Sequence, residues 1–280
     1  MSKRRLAAML KRVILALAAL ALPSRAHAQS TAWHPAPGHE EIPLWPGPVP
    51  DARAGVPAES AGPVVGHDVA GRPWIYVANV TRPTITVYSP DSNNSGAAVV
   101  VFPGGGYNVL AIDLEGTEAC DWATSKGMTC ILLKYRVPCA KTGRYLDCRT
   151  ALEDAQRALG MVRHRAAEWH VDPHRIGVLG FSAGGHMVAA ISNRWATRLY
   201  PRVDAADDES CRPDFAIALY PGHLAAESNH WAFNPDIHVT GRTPPTFIVQ
   251  AEDDPVDPVE NSIVYHAALR KAKVPVELHL

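Results

Sequence analysis

The sequence lacks the patterns that mark several specialised classes of protein. No apolar run approaches the ~20 residues that a membrane-crossing helix needs, since the run near the N-terminus covers only residues 13–22. The five cysteines form no Cys-x-x-Cys pair, and no paired histidines accompany them, so we expect no metal site. No P-loop or dinucleotide fingerprint is present, and we expect no cofactor.

The N-terminus has the pattern of a signal peptide. Basic residues precede the apolar run at 13–22, and Ala26-His27-Ala28 follows it, which predicts residues 1–28 as a signal peptide cleaved after Ala28. We therefore expect a periplasmic or secreted protein without a stable membrane anchor, by a general or a twin-arginine export route. Cleavage leaves 21 basic against 28 acidic residues, a balance that disfavours nucleic acid as a partner.

The rest of the chain suits one catalytic domain behind a leader. Prolines recur at short intervals in residues 29–63 and prevent a regular helix or a central strand there, so this segment is predicted to wrap around or extend from the domain at 64–280. In an oxidising compartment, Cys139 and Cys148 flank a glycine-containing loop, and we expect a disulfide between them. Free buried thiols are the alternative.

Apolar segments alternate with helical patterns along the domain. Residues 74–76 and 84–88 predict an antiparallel start to a sheet. The later apolar segments lack alternation, as is typical of strands covered on both faces; they are 97–102, 131–133, 176–179, 215–219, 246–250 and 276–278.

Helices are predicted between these strands. One has a stripe of apolar positions from Leu152 to Trp169, and another spans 258–271. The order predicts a doubly wound α/β fold, with a mostly parallel sheet, helices on both faces and an incomplete final strand.

The clearest chemical motif is Gly-Phe-Ser-Ala-Gly at 180–184. It follows a predicted buried strand and precedes a helical stretch, which is the context in which G-x-S-x-G forms a sharp turn that exposes a nucleophile. Small residues at Gly180 and Gly184 let the backbones pass without a clash. We therefore predict Ser182 as a catalytic nucleophile, a chance glycine turn being the alternative.

A second glycine motif can stabilise the oxyanion that such a nucleophile creates. Pro-Gly-Gly-Gly-Tyr at 103–107 follows another buried strand, so the N–H groups of Gly105 and Gly106, with that of Ala183, are the predicted oxyanion hole. A phosphate cradle is the alternative, but no Lys-Ser/Thr follows the glycines.

The carboxylate that such a nucleophile needs is expected in the acidic segment 251–260. Asp257 precedes Pro258, with Glu260 at the third helical position, which predicts a helix start with a capping box that occupies the Asp257 carboxylate. Asp254 lies in the turn before it and is predicted to orient a histidine. Asp257 and Asp253 stay open as alternatives.

These motifs give the chain its resemblance. Phe-Pro-Gly-Gly-Gly-Tyr at 102–107, Gly-Phe-Ser-Ala-Gly-Gly at 180–185 and Ala-Glu-Asp-Asp-Pro-Val-Asp-Pro at 251–258 resemble the α/β-hydrolase superfamily, close to bacterial acetylxylan, feruloyl and hormone-sensitive-lipase-like esterases. The resemblance implies a serine carboxylic-ester hydrolase that acts through an acyl-enzyme on polysaccharide or small acyl esters. It spans roughly residues 71–280.

The resemblance also implies a general base that this sequence does not supply at the family's position. The family's histidine follows the last strand, usually in a Gly-Gly-His segment, whereas this sequence stops at Leu280. We therefore expect a C-terminal truncation, nearly inactive as written. Five other histidines lie outside the expected place or order for a general base; they are His186, His223, His230, His238 and His279. Of these, His223 could line the pocket.

Two other functions stay open from the sequence. A carbohydrate-binding or scaffold protein that has lost its base would keep the nucleophile turn without catalysis. A peptidase of the prolyl-oligopeptidase type would share the turn and the order of the catalytic residues. Such peptidases normally carry a large extra domain, for which this chain has no room.

Overall fold

A central sheet of eight strands organises the domain. The computed structural model describes residues 32–139, 141–142, 145–146 and 148–280, and the predicted signal peptide lies outside these ranges. The strands in them are β1 (Glu41–Pro43), β2 (Ser60–Pro63), β3 (Ile75–Ala78), β4 (Thr84–Tyr88), β5 (Ala98–Phe102), β6 (Val109–Ala111), β7 (Thr129–Lys134), β8 (Lys141–Thr142), β9 (Tyr145–Leu146), β10 (Ile176–Phe181), β11 (Ala216–Leu219), β12 (Thr246–Val249) and β13 (Val276–His279). The α-helices are α1 (Glu118–Ser125), α2 (Arg149–His164), α3 (Ala183–Asn193) and α4 (Glu260–Lys271).

The order of the central sheet is β1-β4-β7-β5-β10-β11-β12-β13. From β7 to β13 neighbouring strands are parallel, whereas β1 and β4 run antiparallel to their neighbours. The predicted doubly wound, mostly parallel α/β fold is confirmed. Because parallel strands end at the same edge, the loops after β5, β10, β11 and β12 lie next to one another.

The middle of this sheet is the core of the domain. Every residue of β5 and β7 is buried, as the apolar runs without alternation predict. Helix α2 contributes its apolar stripe, including Leu152, Leu159 and Val162, to the same core. Burying each such side chain contributes about 1.5–3 kcal/mol.

The predicted antiparallel start of the central sheet is confirmed for β4 and wrong for β3. β4 does pair antiparallel with β7 in the central sheet. β3, however, lies in a separate three-stranded sheet between β2 and β6. Its apolar and aromatic residues predict a strand correctly, but they carry no information about its partner.

Helix α2 is shorter than its apolar stripe suggests. It ends at His164, and the backbone then turns so that the Val171 N–H donates to the Ala166 carbonyl at 2.8 Å. Ala166 and Trp169 stay buried although they lie beyond the helix. The apolar stripe therefore predicts a helix about one turn longer than α2, because buried residues continue beyond the end of the helix.

The proline-rich segment packs against the domain. β1 joins the edge of the central sheet beside β4, and Leu44 and Trp45 are buried in the core. The Trp45 indole donates to Asp154 on α2 at 3.0 Å. A proline-rich chain can supply such an edge strand because one side of an edge strand needs no hydrogen bonds.

Two disulfides lie in the described part of the chain. The predicted pair, Cys139 and Cys148, is joined across the short strands β8 and β9. A second disulfide joins Cys120 on α1 to Cys130 on β7, a pairing that the sequence did not indicate. Cys211 is free and buried.

Candidate active site

Ser182 occupies the sharp turn between β10 and α3. Its backbone has φ 51° and ψ −115°, a strained conformation for a residue with a Cβ. The Ser182 N–H donates to the Leu219 carbonyl at 3.0 Å, and the Ser182 carbonyl accepts from the N–H groups of His186 and Gly222, each at 3.0 Å. Contacts from both sides thus fix the turn, and the Ser182 side chain remains only partly buried.

The flanking glycines are needed for this turn. A Cβ on Gly180 would lie 2.2 Å from the Gly184 carbonyl oxygen, and one on Gly184 would lie 2.0 Å from the Phe102 carbonyl oxygen. Both distances are far below van der Waals contact. Only glycine at these two positions lets the strand reverse into the helix beside β5.

The triglycine loop lies directly against Ser182. A Cβ on Gly104 would lie 3.1 Å from the Ser182 Cβ. The Gly105 carbonyl accepts from the backbone N–H groups of Asn108 and Val109, with N···O distances of 3.0 and 3.2 Å. Among the described residues, the N–H groups of Gly105, Gly106 and Ala183 find no acceptor, so they are available to a ligand.

Two site residues were not predicted from the sequence. Glu115 is buried under the triglycine loop, where its Oε2 accepts from the Gly104 N–H at 2.6 Å and its Oε1 accepts from the Tyr220 hydroxyl at 2.9 Å. Burial raises the pKa of Glu115, and the hydrogen bonds from Tyr220 and Gly104 oppose that rise. No local pattern in the sequence singles it out, because Asp113 and Glu118 are equally acidic neighbours.

The acidic loop after β12 differs from its prediction in one physical respect. The Asp254 Oδ1 accepts from the backbone N–H groups of Val256 and Asp257 at 2.8 and 3.0 Å, and its Oδ2 accepts from the Gln250 side chain at 3.2 Å. Backbone N–H groups therefore hold the carboxylate of Asp254, whereas the sequence predicted such contacts for the carboxylate of Asp257. Asp253 is exposed.

The predicted capping box at Asp257 is wrong. Helix α4 begins at Glu260 rather than at 258, and its N-cap residue, Val259, makes no side-chain cap. The Asp257 carboxylate instead points at the nucleophile turn, where a Cβ on Gly222 would lie 2.3 Å from its Oδ1. Burial raises the pKa of Asp257, and a polar contact with the Ser182 hydroxyl partly offsets this effect.

Aromatic and imidazole rings gather beside the triglycine loop. The Nδ1 of buried His186 lies 2.8 Å from the Tyr107 hydroxyl, and the His186 ring is edge-on to His223 at 5.9 Å. Burial, with a smaller effect of His223, lowers the pKa of His186 to about 3. A histidine with so low a pKa is a weak general base, which agrees with the sequence argument against His186.

The other three candidate histidines, His230, His238 and His279, lie in exposed positions. The His279 ring on β13 packs 4.9 Å from Phe247 at the edge of the sheet, and its side chain is 59% exposed. His230 and His238 are exposed. Within the described ranges, no group of three or more His, Cys, Asp or Glu side chains could bind a metal ion, and no helix is long and apolar enough to cross a membrane.

Known proteins resemble this chain in sequence and in fold. The profile of a family described as the alpha/beta hydrolase fold matches residues 99–280. An acetylxylan esterase of Xylanibacter ruminicola is 31% identical over 202 residues, which are 64% of this chain and 38% of that esterase. An ethyl acetate hydrolase of Pseudomonas putida is 26% identical over 221 residues, 69% of this chain and 67% of the hydrolase.

A solved structure also resembles this chain in fold and in sequence. An acetyl ester-xyloside bifunctional hydrolase from Caldicellulosiruptor lactoaceticus superposes with a TM-score of 0.64 at 32% identity, covering 86% of this chain and 84% of that one. The chain thus matches nearly the whole of this hydrolase, whereas it spans 38% of the length of the acetylxylan esterase.

Proposed function

The chain belongs to the alpha/beta hydrolase fold family, and from this premise we propose that it is an exported serine esterase that removes acyl groups from polysaccharide or small ester substrates. One observation carries the proposal. Ser182 sits on a strained turn with its side chain partly exposed, beside a loop in which the N–H groups of Gly105 and Gly106 have no acceptor among the described residues. Strain of this kind costs ~1–3 kcal/mol and persists where the surroundings enforce it, often at active sites.

The proposed chemistry combines this geometry with a histidine general base. The Ser182 Oγ attacks the ester carbonyl carbon while a histidine general base accepts the hydroxyl proton. The N–H groups of Gly105, Gly106 and Ala183 stabilise the negative charge on the former carbonyl oxygen. The base returns the proton to the departing alcohol, an acyl-enzyme remains, and water attacks it in the same manner to release the acid.

We assign Asp254 to orient the histidine. An orienting carboxylate must itself be fixed, and two backbone N–H groups and Gln250 fix that of Asp254. Asp257 contacts Ser182 instead, so an imidazole that reached Ser182 would have to displace the Asp257 carboxylate.

Acetyl esters are the proposed substrates. Three of the proteins that this chain resembles are named for acetylxylan, ethyl acetate and acetyl ester-xyloside hydrolysis. The rings of Tyr107, His186 and His223 pack against one another beside the triglycine loop, with centroid distances of 5.7, 6.1 and 5.9 Å. The net negative charge of the predicted mature chain suits a neutral rather than an anionic substrate.

The test uses the whole encoded protein. We expect it to release acetate from acetylated xylan and from p-nitrophenyl acetate, and Ser182→Ala to lower kcat on the order of 10⁶-fold. Edman sequencing of the exported protein should begin at Gln29. A wild-type protein that binds xylan without releasing acetate would support the scaffold alternative, and an active Ser182→Ala would refute the proposed nucleophile.

A further inference from the structure

Glu115 is a buried acid that the proposed mechanism leaves without a role. It lies in a short π-helical turn, Asp113–Thr117, that follows β6, and it is 9% exposed. Acidic side chains are rarely buried unless hydrogen bonds or charges compensate for the lost hydration. Its compensating partners therefore indicate what it does.

The Glu115 carboxylate joins two loops of the active site. Its Oε2 accepts from the Gly104 N–H at 2.6 Å, and its Oε1 accepts from the Tyr220 hydroxyl at 2.9 Å. Gly104 begins the triglycine loop after β5, and Tyr220 follows β11. A Cβ on Gly104 would lie 2.5 Å from Oε2 and 3.1 Å from the Ser182 Cβ. The side chains of Glu115 and Ser182 therefore both lie close to the backbone of Gly104.

Other hydrogen bonds fix the carbonyl groups of the triglycine loop. The Tyr135 hydroxyl donates to the Pro103 carbonyl at 2.5 Å, and the Ala111 N–H donates to the Gly104 carbonyl at 3.0 Å. The Gly105 carbonyl is held by Asn108 and Val109. Within the described residues, the first N–H of the triglycine loop is thus bound to Glu115, while the next two are left unoccupied.

We propose that Glu115 is a positioning residue that holds the triglycine loop through Gly104, so that the Gly105 and Gly106 N–H groups face the oxyanion formed at Ser182. The proposal rests on the esterase function proposed above. Through Tyr220 the same carboxylate also ties this loop to the segment after β11, whose Gly222 N–H binds the Ser182 carbonyl. One side chain therefore sets the relative position of the nucleophile and the oxyanion donors.

The protonated acid can fill this role as well as the carboxylate. One oxygen would still accept from the Gly104 N–H, and the other could donate its proton to the Tyr220 hydroxyl oxygen. A neutral group is also the better neighbour for a developing negative charge. Glu115→Gln offers the same acceptor and donor pattern without the charge, whereas Glu115→Leu removes both hydrogen bonds at similar volume.

The experiment compares these two variants in the whole encoded protein. The readouts are kcat and KM for p-nitrophenyl acetate, the Ki of phenylboronic acid, which forms a tetrahedral anionic adduct with an active-site serine, and the melting temperature. Losing an oxyanion donor costs about 10²–10³ in kcat, so we expect Glu115→Leu to lose up to this factor with KM little changed and Ki raised in parallel. Glu115→Gln should retain kcat and Ki within about fivefold of wild type.

Controls separate this proposal from the esterase function and from a merely structural role. Glu118→Gln changes a nearby acid that is paired with Arg72 at the surface, and it should leave every readout unchanged. Ser182→Ala tests the esterase function alone. A folded Glu115→Leu with wild-type kcat and Ki, whatever its melting temperature, would overturn the positioning role while leaving the nucleophile assignment intact.

If Glu115→Leu does not fold, Tyr220→Phe decides the question. It removes only the hydroxyl that Glu115 binds, and Tyr220 is only partly buried, so the fold should tolerate the change. We expect about a tenfold loss of kcat and a parallel rise in the boronic acid Ki, because Glu115 would then be held at one oxygen only. An unchanged Ki in Tyr220→Phe would overturn the proposal.

Discussion

The backbone of Gly184 passes so close to Phe102 that a Cβ at position 184 would lie 2.0 Å from the Phe102 carbonyl oxygen. Phe102 ends β5, and Gly184 lies in the first turn of α3, so this approach joins the nucleophile turn to the strand that carries the triglycine loop. The distance between Ser182, the proposed nucleophile, and the proposed oxyanion donors thus depends on the absence of a Cβ at position 184.

Gly184→Ala should damage both stability and activity. The added methyl group must displace the backbone of β5 or α3, and overpacking of this kind costs about 1–3 kcal/mol or more. The melting temperature and kcat for p-nitrophenyl acetate should both fall. Gly47→Ala is the matched control, because a Cβ there meets nothing within 4 Å, and it should change neither.

The sequence predicted the nucleophile turn because its causes are local. A buried strand, two obligatory glycines and a following helix all lie in residues 176–193, so the pattern determines the backbone path. The triglycine loop was predicted for the same reason. β3 was assigned to the wrong sheet because strand partners lie far apart in sequence and leave no local signal.

The acidic loop shows what local patterns cannot decide. Asp257 before Pro258 has the form of a helix cap, yet α4 begins two residues later and Asp257 faces Ser182. Glu115 was missed because its partners, Gly104 and Tyr220, are 11 and 105 residues away. Both outcomes depend on tertiary contacts that form only when the strand ends come together.

Asp254→Asn and Asp257→Asn should separate the two roles proposed for this loop. If Asp254 orients the histidine, Asp254→Asn should lower kcat by about 10³–10⁴, as the loss of such a carboxylate does in serine proteases. Asp257→Asn should cost less than about tenfold. Steady-state kinetics with p-nitrophenyl acetate measures both, and the reverse order of effects would assign the orienting role to Asp257.

Glu153 should make stability depend on pH. Burial, together with Asp51, raises its pKa from 4.5 to about 7. The folded chain therefore binds more protons than the unfolded chain between about pH 4.5 and 7, so Glu153 makes stability fall as the pH rises through this window. The melting temperature of Glu153→Gln minus that of wild type should therefore be larger at pH 8 than at pH 5.

The control for that measurement is a glutamate with the opposite shift. Arg165 lowers the pKa of Glu168, which is thus ionised at both pH values. The difference in melting temperature between Glu168→Gln and wild type should stay constant from pH 5 to pH 8. A constant difference for Glu153→Gln as well would contradict the raised pKa.

The two disulfides predict a thiol count. Unreduced, denatured protein should react with one equivalent of thiol reagent from the five cysteines of this chain, at Cys211, and Cys211→Ser should abolish the reaction. Each disulfide closes a loop of about ten residues, for which the chain-entropy estimate is on the order of 2–3 kcal/mol. Reduction should therefore lower the melting temperature, and three or five reactive thiols before reduction would refute the pairing.

Covalent labelling tests the central claim most directly. Diethyl p-nitrophenyl phosphate phosphorylates serines that are activated as nucleophiles, and peptide mass spectrometry locates the adduct. The account predicts one diethylphosphoryl group per chain of the whole encoded protein, on the peptide that contains Ser182, and none in Ser182→Ala. Labelling of another residue, or hydrolysis of p-nitrophenyl acetate by a protein that takes no label at Ser182, would contradict it.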